Sequence, residues 1–302
     1  MGASAVIVAL ALSPGLDVTY EVDALALGGI TRPSAVTRVA GGKALNVARA
    51  AAGLGADVHA LAVLGGPTGE WVAALLADDG VPATVVAGTG TTRTCLTIVE
   101  ASGGATSTDL YEPATELDRA SWASFARAAR DRAAARPGGW FALSGSIPRG
   151  VPLDELAGLL VELRAAGARV VVDGSGAGLR ATAGAADLVK VNRHEAEELV
   201  GAPLATATEA GRALRERLGV DSVVTDGVYG AAALLGGAEL LAPPTRRPGR
   251  FPAGSGDAFL GGLLTALDRG DAYDAALALA VSAAERNAHV PGQGRLAPEP
   301  QT

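Results

Sequence analysis

Short apolar runs alternate with stretches of helical periodicity along most of the chain. Because strands that alternate with helices pair in parallel, this order predicts an α/β fold with a mostly parallel sheet and helices on both faces. The apolar runs end in Gly, Ser, Asp or Asn, and they read HALAVLGG, WFALSGS, RVVVDGSG, DLVKVN and SVVTDG. The helical stretches read ALNVARAAAGLG, SWASFARAARDRAAAR, LDELAGLLVELRAAG and TEAGRALRERLG.

Polar residues close several of these apolar runs. In parallel sheets, ligands bind beyond the carboxyl ends of the strands. The strand ends at Ser144, Asp173, Asn192 and Asp226 are therefore where we expect the functional groups.

Two regions break the strand–helix rhythm, at about residues 17–40 and 82–113. Their apolar and polar residues alternate, which is typical of strands with one exposed face. We expect a second, small sheet that lies over the main one as a lid. The whole chain, residues 1–302, is then a single domain that carries this lid.

Composition narrows the class of protein. The 302 residues are 49% hydrophobic and carry a formal net charge of -7, with no basic tract, which argues against a nucleic-acid partner. The apolar run near the start, MGASAVIVALALS, is too short to span a bilayer and reads as a first strand, AVIVAL. One cysteine and three histidines lack the spacing of a zinc site, and we expect a cytoplasmic protein without membrane partners.

The stretch FPAGSGDAFL, residues 251–260, places a carboxylate directly after a glycine turn. The apolar spacing that follows predicts a helix, so Gly254, Ser255 and Gly256 would present N–H groups to an anion at its start. Asp257 in the first turn would repel that anion unless it accepts a proton from an attacking hydroxyl. The plainer interpretation is a helix-capping aspartate.

Four further stretches are weak signals when taken singly. In AGGKALNVARAAAGLG, Lys43 and Asn46 share a helix face beside two glycines, which suits a polyhydroxylated or phosphorylated ligand or only a helix start. In KVNRHEAEELVG, Asn192 and Glu195 form either a capping box or a support for Mg²⁺. LSGSIPRG is either the end of a strand that a ligand can approach or a plain turn. VVTDGVYGAAALL is either the wall of a pocket or a plain hairpin.

The order of these motifs resembles that of the ribokinase-like carbohydrate kinases, the PfkB family. The resemblance runs from about Leu10 to Ala288, and AGSGDAF is its most specific part. Within the family, the chain looks most similar to the 1-phosphofructokinase and tagatose-6-phosphate kinase branch. The resemblance implies a ribokinase-like fold and ATP- and Mg²⁺-dependent phosphorylation of a sugar phosphate.

The resemblance also implies roles for single residues. Asp257 would be the general base, and the N–H groups of Gly254, Ser255 and Gly256 would stabilise the charge that develops on the transferred phosphoryl group. The ATP and Mg²⁺ ligands would be Lys190, Asn192 and Glu195, the last two through water, with Thr225, Gly227 and Gly230 lining the nucleotide pocket. The acceptor sugar would meet Asp17, Gly41, Gly42, Lys43 and Asn46.

Arg32 and Arg93 decide the substrate class. Both fall in the expected lid strands, where phosphosugar kinases of the family carry an arginine. An arginine fork matches a phosphate dianion, which favours a ketohexose phosphate as acceptor. The alternatives are solvated surface arginines and a kinase of an unphosphorylated sugar or nucleoside.

Two readings outside the kinases remain open. A non-catalytic sugar-phosphate sensor would keep the fold, since fold does not guarantee function. An oxidoreductase would need a Gly-x-Gly-x-x-Gly turn after the first strand, where SPGLD stands instead. The lid strands are expected to have an exposed edge, so we expect a homodimer through the lid.

Overall fold

A computed structural model describes residues 7–101, 107–245 and 247–299. The first two residues of the expected first strand, Ala5 and Val6, lie outside the described residues, as does the segment 102–106 of the expected lid. The described residues form thirteen strands: β1 (Ile7–Ala11), β2 (Gly15–Val22), β3 (Ala35–Gly41), β4 (Val58–Leu64), β5 (Ala83–Ala87), β6 (Arg93–Glu100), β7 (Thr108–Tyr111), β8 (Trp140–Ser144), β9 (Arg169–Asp173), β10 (Leu188–Asn192), β11 (Asp221–Thr225), β12 (Ala231–Leu235) and β13 (Ala238–Ala242).

Nine α-helices occur in the same described ranges, and none is long and apolar enough to cross a membrane. They are α1 (Lys43–Gly53), α2 (Gly66–Asp78), α3 (Arg119–Ala135), α4 (Leu153–Ala165), α5 (Gly176–Thr182), α6 (Arg193–Val200), α7 (Ala207–Leu218), α8 (Ser255–Arg269) and α9 (Tyr273–Ala288).

Nine strands form one large sheet in the order β13-β12-β11-β10-β9-β8-β1-β4-β5. All neighbours from β11 to β5 pair in parallel, and β12 and β13 add antiparallel strands at one edge. Because βα units bring the chain back in the same direction, the parallel part agrees with the strand–helix rhythm of the sequence. The predicted α/β class is confirmed.

Helices cover both faces of the large sheet, as predicted. Strand β1 shows why, since its side chains alternate between two apolar layers. Val8 and Leu10 pack into the layer beneath α3 and α4, while Ile7 and Ala9 pack into the layer that α1 and α8 cover. Every residue of β1 is buried, as expected for a central strand between two helical layers.

A second sheet has the strand order β3-β2-β6-β7 and forms the expected lid. Strand β2 pairs antiparallel with β3 and parallel with β6, so the lid joins chain segments far apart in sequence.

The sequence placed one strand wrongly. Residues 83–87 were expected in the lid, but β5 pairs in parallel with β4 and forms the edge of the large sheet. Val86 is buried there and Val85 is 49% exposed. Apolar and polar residues alternate in an edge strand of the large sheet just as they do in a lid strand, so this alternation alone could not distinguish the two positions.

Candidate active site

A cavity of about 590 Å³ lies between the carboxyl ends of the parallel strands and the lid. The predicted residues that line it come from six separate parts of the chain. The residues that the sequence predicted and that line this cavity are Asp17, Gly42, Lys43, Asn46, Arg93, Lys190, Asn192, Glu195, Thr225, Gly254, Gly256 and Asp257. Such convergence at the strand ends is what a doubly wound sheet favours.

A second cavity of about 320 Å³ adjoins the first, and the two cavities share the lining residues Thr225, Pro252 and Gly256. Its walls include Gly227 and Gly230, which the sequence assigned to a nucleotide pocket. Apolar residues form most of the remaining wall: Val228, Ala231, Pro243, Pro248, Phe259, Val281, Ala284 and Ala288. A mostly apolar pocket suits a flat aromatic base.

The turn between the two cavities is the start of α8. Gly254 is its N-cap and has a φ of 82°, a left-handed conformation that favours glycine. A Cβ atom at Gly254 would also lie 2.7 Å from the Cβ of Gln293, so a larger residue does not fit. The Ser255 N–H donates to the carbonyl of Pro252 at 3.2 Å, so this predicted anion donor already has a partner in the turn.

Asp257 is 6% exposed and lies in the first turn of α8. Its Oδ2 accepts a hydrogen bond from Nδ2 of Asn46 at 2.9 Å. Burial raises the pKa of Asp257 to about 6, against the opposing effect of the Lys43 ammonium. A carboxylate with this pKa is largely ionised at neutral pH and remains basic enough to accept a proton.

Two lysines flank Asp257 and share one carboxylate. The Oδ1 atom of Asp173 lies 3.5 Å from Nζ of Lys43 and 3.7 Å from Nζ of Lys190. Ser144 donates to the other oxygen, Oδ2, at 2.9 Å. Burial alone would raise the pKa of Asp173, but the two ammonium groups hold it below its ordinary value.

The Lys43 ammonium is held in its charged form by the same cluster. Asp173 raises the pKa of Lys43 above its ordinary value, despite the opposing effect of burial. Glu195 adds a second carboxylate, with its Oε1 atom 3.6 Å from Nζ of Lys43. Sequence reasoning noted Asp173 only as a polar strand end and missed this role, because the residues that it joins are distant in the sequence.

Asn192 and Glu195 form the capping box at the start of α6. The Asn192 side chain accepts from the Glu195 N–H at 2.9 Å, and Oε2 of Glu195 accepts from the Asn192 N–H at 2.8 Å. The capping interpretation is therefore confirmed. Within the described ranges, no three His, Cys, Asp or Glu side chains cluster as a metal site. Mg²⁺ often keeps several waters and binds through few carboxylates and phosphates, so this sparse donor set still fits it.

Asp17 projects from lid strand β2 and is 5% exposed. Its Oδ2 accepts from the Gly42 N–H at 3.3 Å, and burial raises its pKa to about 6. A Cβ atom at Gly41 would lie 1.9 Å from Cγ of Asp17, so only glycine permits this approach. Gly41 thus supports the cavity without lining it.

Arg93 begins strand β6 and reaches the cavity from the lid. Its Nη2 donates to the carbonyl of Ser13 at 3.0 Å, but its Nε is buried without a partner among the described residues. Nε has almost no accessible surface, so a ligand in the cavity would meet the outer nitrogens, Nη1 and Nη2, instead. These nitrogens carry more N–H groups than their contacts with the carbonyls of Glu112 and Ser13 use, so the guanidinium is suited to an anionic group of a bound ligand.

Arg32 does not lie where the sequence placed it. It is exposed, does not line the cavity, and belongs to the loop before β3 rather than to a lid strand. The strand begins only at Ala35, because Pro33 has no N–H to donate to a neighbouring strand.

Several cavity residues were missed by sequence reasoning. On the lid side they are Cys95, Ser107, Asp109 and Tyr111, and Gln293 reaches the cavity from the far end of the chain. Cys95 could have been found from the sequence, because side chains two residues apart in a strand lie on the same face, and Cys95 is two residues after Arg93. No local pattern marked Gln293.

Comparison with known proteins agrees with this geometry. A sequence model of the pfkB family carbohydrate kinases matches residues 6–300. A 1-phosphofructokinase of Xanthomonas campestris pv. campestris is 39% identical over 271 residues, covering 86% of this chain and 83% of that protein. The chain therefore belongs to the pfkB family of carbohydrate kinases, and it is a phosphotransferase.

Solved structures give the same result for the fold. Phosphofructokinase-2 from Escherichia coli in complex with substrates and products has a TM-score of 0.87 at 25% identity, covering 98% of this chain and 95% of that one. The tetrameric inhibited form of that enzyme has a TM-score of 0.85 at 26% identity, covering 95% and 94%. These neighbours share the ribokinase-like α/β fold.

Proposed function

We propose that this enzyme transfers the γ-phosphate of ATP to a free hydroxyl of a ketohexose phosphate, giving a bisphosphate. The observation that carries the proposal is the buried Asp257, which lines the larger cavity directly after Gly256, a residue that both cavities share. The candidate acceptors are fructose 1-phosphate, fructose 6-phosphate and tagatose 6-phosphate. The name of the Xanthomonas relative favours the first of these.

The reaction divides between the two cavities. The acceptor hydroxyl in the larger cavity gives its proton to the Asp257 carboxylate as its oxygen forms a bond to the γ-phosphorus. The bond from that phosphorus to the bridging oxygen breaks, and ADP leaves with the electron pair. Lys43, Lys190 and the N-terminus of α8 stabilise the negative charge on the transferred group.

Mg²⁺ bound with ATP would neutralise phosphate charge, and Asn192 and Glu195 would hold its waters. Glu195→Gln tests this role, because Gln preserves a capping box while the charge is lost. We expect the Mg²⁺ concentration for half-maximal rate to rise about tenfold, the order seen when outer-shell metal partners are replaced.

The matched control for the magnesium experiment is Glu209→Gln. Glu209 lies in the first turn of α7, where its Oε2 accepts from the Ala205 N–H at 2.8 Å, far from the cavity. The Glu209→Gln variant should show the same Mg²⁺ dependence as the wild type. If the Glu195→Gln variant also shows the wild-type Mg²⁺ dependence, Glu195 does not belong to the magnesium site.

The phosphate of the acceptor would bind at Arg93. The guanidinium of that side chain lines the cavity, which supports a phosphosugar over a free sugar, since a neutral hydroxyl is a weaker partner for this cation than a phosphate dianion. The rival function is a kinase of an unphosphorylated sugar or nucleoside, which would use the same Asp257 chemistry.

Measuring ADP release with Mg·ATP separates these functions. The acceptor panel is fructose 1-phosphate, fructose 6-phosphate, tagatose 6-phosphate, fructose, ribose and adenosine. Turnover confined to a phosphosugar supports the proposal and identifies the acceptor. Turnover only with a free sugar or nucleoside refutes the phosphate role of Arg93, and a folded protein without turnover supports the sensor alternative.

A homodimer through the lid is the proposed assembly. The loop between β2 and β3 exposes Leu27 by 93% and Ile30 by 82%, and β7 exposes Leu110 by 55%. Several large apolar residues exposed on the lid favour a protein interface there. Arg32 lies two residues after Ile30 and would belong to that interface.

We expect Ile30→Asp to shift the protein from dimer to monomer, because a carboxylate would be desolvated in the interface. Sedimentation equilibrium measures the shift. Val161→Asp on α4 is the control, since Val161 is 53% exposed but lies away from the lid. A wild-type protein that sediments as a monomer contradicts the assembly.

A further inference from the structure

An arginine is buried beside the proposed active site. Arg49 lies on α1 and is 5% exposed, which is rare for a charged side chain. Such burial is tolerated only when the charge is paired and its donors are satisfied. The partners of Arg49 therefore indicate what its charge does.

Arg49 joins four separate parts of the fold. Its Nε donates to Oδ2 of Asp79 at 2.7 Å, just after α2 ends. Its Nη1 donates to the carbonyl of Gln293 at 2.7 Å, and its Nη2 donates to the carbonyl of Ala40 in β3. The Asp79 carboxylate balances the charge, and the two carbonyls satisfy further donors.

The fourth contact of Arg49 points to the active site. Its Nη1 donates to Oδ1 of Asn46 at 3.3 Å, and Nδ2 of the same Asn46 donates to Oδ2 of Asp257 at 2.9 Å. A guanidinium can only donate, and a carboxylate can only accept. These two neighbours hold the Asn46 amide at both ends in one orientation, with its NH₂ group towards Asp257.

We propose that Arg49 is a positioning residue that acts through Asn46 to hold the Asp257 carboxylate in place for proton transfer. The inference rests on the proposed role of Asp257. With Asn46 held, one oxygen of Asp257 is engaged and the other is left for the acceptor hydroxyl. Without Arg49, the Asn46 side chain is fixed at one end only and can rotate away.

The expected effect is moderate because the Arg49–Asn46 contact is the longest of the four. When a hydrogen bond to a charged group is weakened and not removed, only part of its contribution is lost. We expect Arg49→Lys to lower kcat about tenfold while KM for ATP is unchanged. Arg49→Gln, which removes the charge, should lower kcat at least as much.

A double-mutant cycle tests the route through Asn46. Asn46→Ala should lower kcat by itself, and adding Arg49→Lys to it should cause no further loss. Additive losses would overturn the proposal, as would an Asn46→Ala variant with the kcat of the wild type. Asp257→Asn, measured alongside, tests the base itself, so failure of the base is distinguishable from failure of the Arg49 route.

The pH profile of kcat provides the readout that a structural role would not change. The groups that face Asp257 are Lys43, Lys190, Asp173 and Asn46, and only the Asn46 contact is altered in these variants. Because the hydrogen bond from Asn46 lowers the pKa of Asp257, its loss should move the acid limb to higher pH. Arg49→Lys and Asn46→Ala should show the same displacement.

Asp79→Asn is the control for lost stability. It weakens the ion pair of Arg49 but leaves the contacts of Arg49 with Asn46 and Gln293 in place. We expect a lower Tm with the kcat and the acid limb of the wild type. If Asp79→Asn and Arg49→Lys lower kcat equally and their pH profiles have the same acid limb, the role of Arg49 is only structural and the proposal is wrong.

Discussion

Replacing Asp257 by Asn is expected to lower kcat by about a thousandfold, within the range that a general base contributes. Asn has nearly the shape of Asp and keeps an oxygen for the Asn46 contact, but it cannot accept the proton of the acceptor hydroxyl. KM for ATP should change little, because Asp257 faces the acceptor cavity. Steady-state ADP release gives both constants.

The pH dependence supplies a second test of Asp257. A base works only when it is deprotonated, so the wild-type kcat should rise with pH through about 6, the raised pKa of this carboxyl. The Asp257→Asn variant should lack that limb. Asp274→Asn is a matched control, since Asp274 also lies in the first turn of a C-terminal helix but outside the cavity. An Asp257→Asn variant with a tenth or more of the wild-type kcat would exclude the base role.

Replacing Arg93 by Ala is expected to raise KM for the phosphosugar by about 10- to 150-fold, which corresponds to a lost charged hydrogen bond of 1.5–3 kcal/mol. The guanidinium lines the larger cavity, in which the acceptor is proposed to bind. KM for ATP should stay near the wild-type value, because Arg93 does not line the apolar cavity.

The control for Arg93 is Arg38→Ala. Arg38 lies on lid strand β3, which β2 separates from β6, and its guanidinium stacks on Trp71 at 5.5 Å from the ring centroid. Its loss should leave both KM values unchanged. Arg93→Lys should recover part of the affinity, since a point charge replaces the fork. An unchanged phosphosugar KM in Arg93→Ala would remove this arginine from the phosphate site.

The general architecture could be predicted from the sequence because each helix and strand carries its own signal. The helix that begins near Lys43 and the helix after Gly254 both start where the residue spacing indicated. Strand boundaries at the lid were harder. The alternation of apolar and polar residues indicated that β3 and β5 each have an exposed face. It did not indicate which strands they pair with, since pairing depends on parts of the chain that lie far away.

The site was predicted where its chemistry is local to a motif. Asp257, Lys43 and Asn46 lie at the starts of helices that directly follow glycine-rich turns, and these turns are visible in one sequence. The partners that hold them are not local. Asp173 joins two lysines, and Arg49 meets the carbonyl of Gln293, 244 residues away. Such contacts exist only in the folded chain.

The connection between β3 and α1 consists of one residue, Gly42, with a φ of 94°. The Gly42 N–H donates to Oδ2 of Asp17 in β2, which ties this junction to the lid, so we expect the end of the lid strand and the first turn of the helix to move together. Any displacement of the lid towards a bound sugar would be transmitted directly to Lys43 and Asn46. Substrate capture and alignment of the reacting groups would then be a single event.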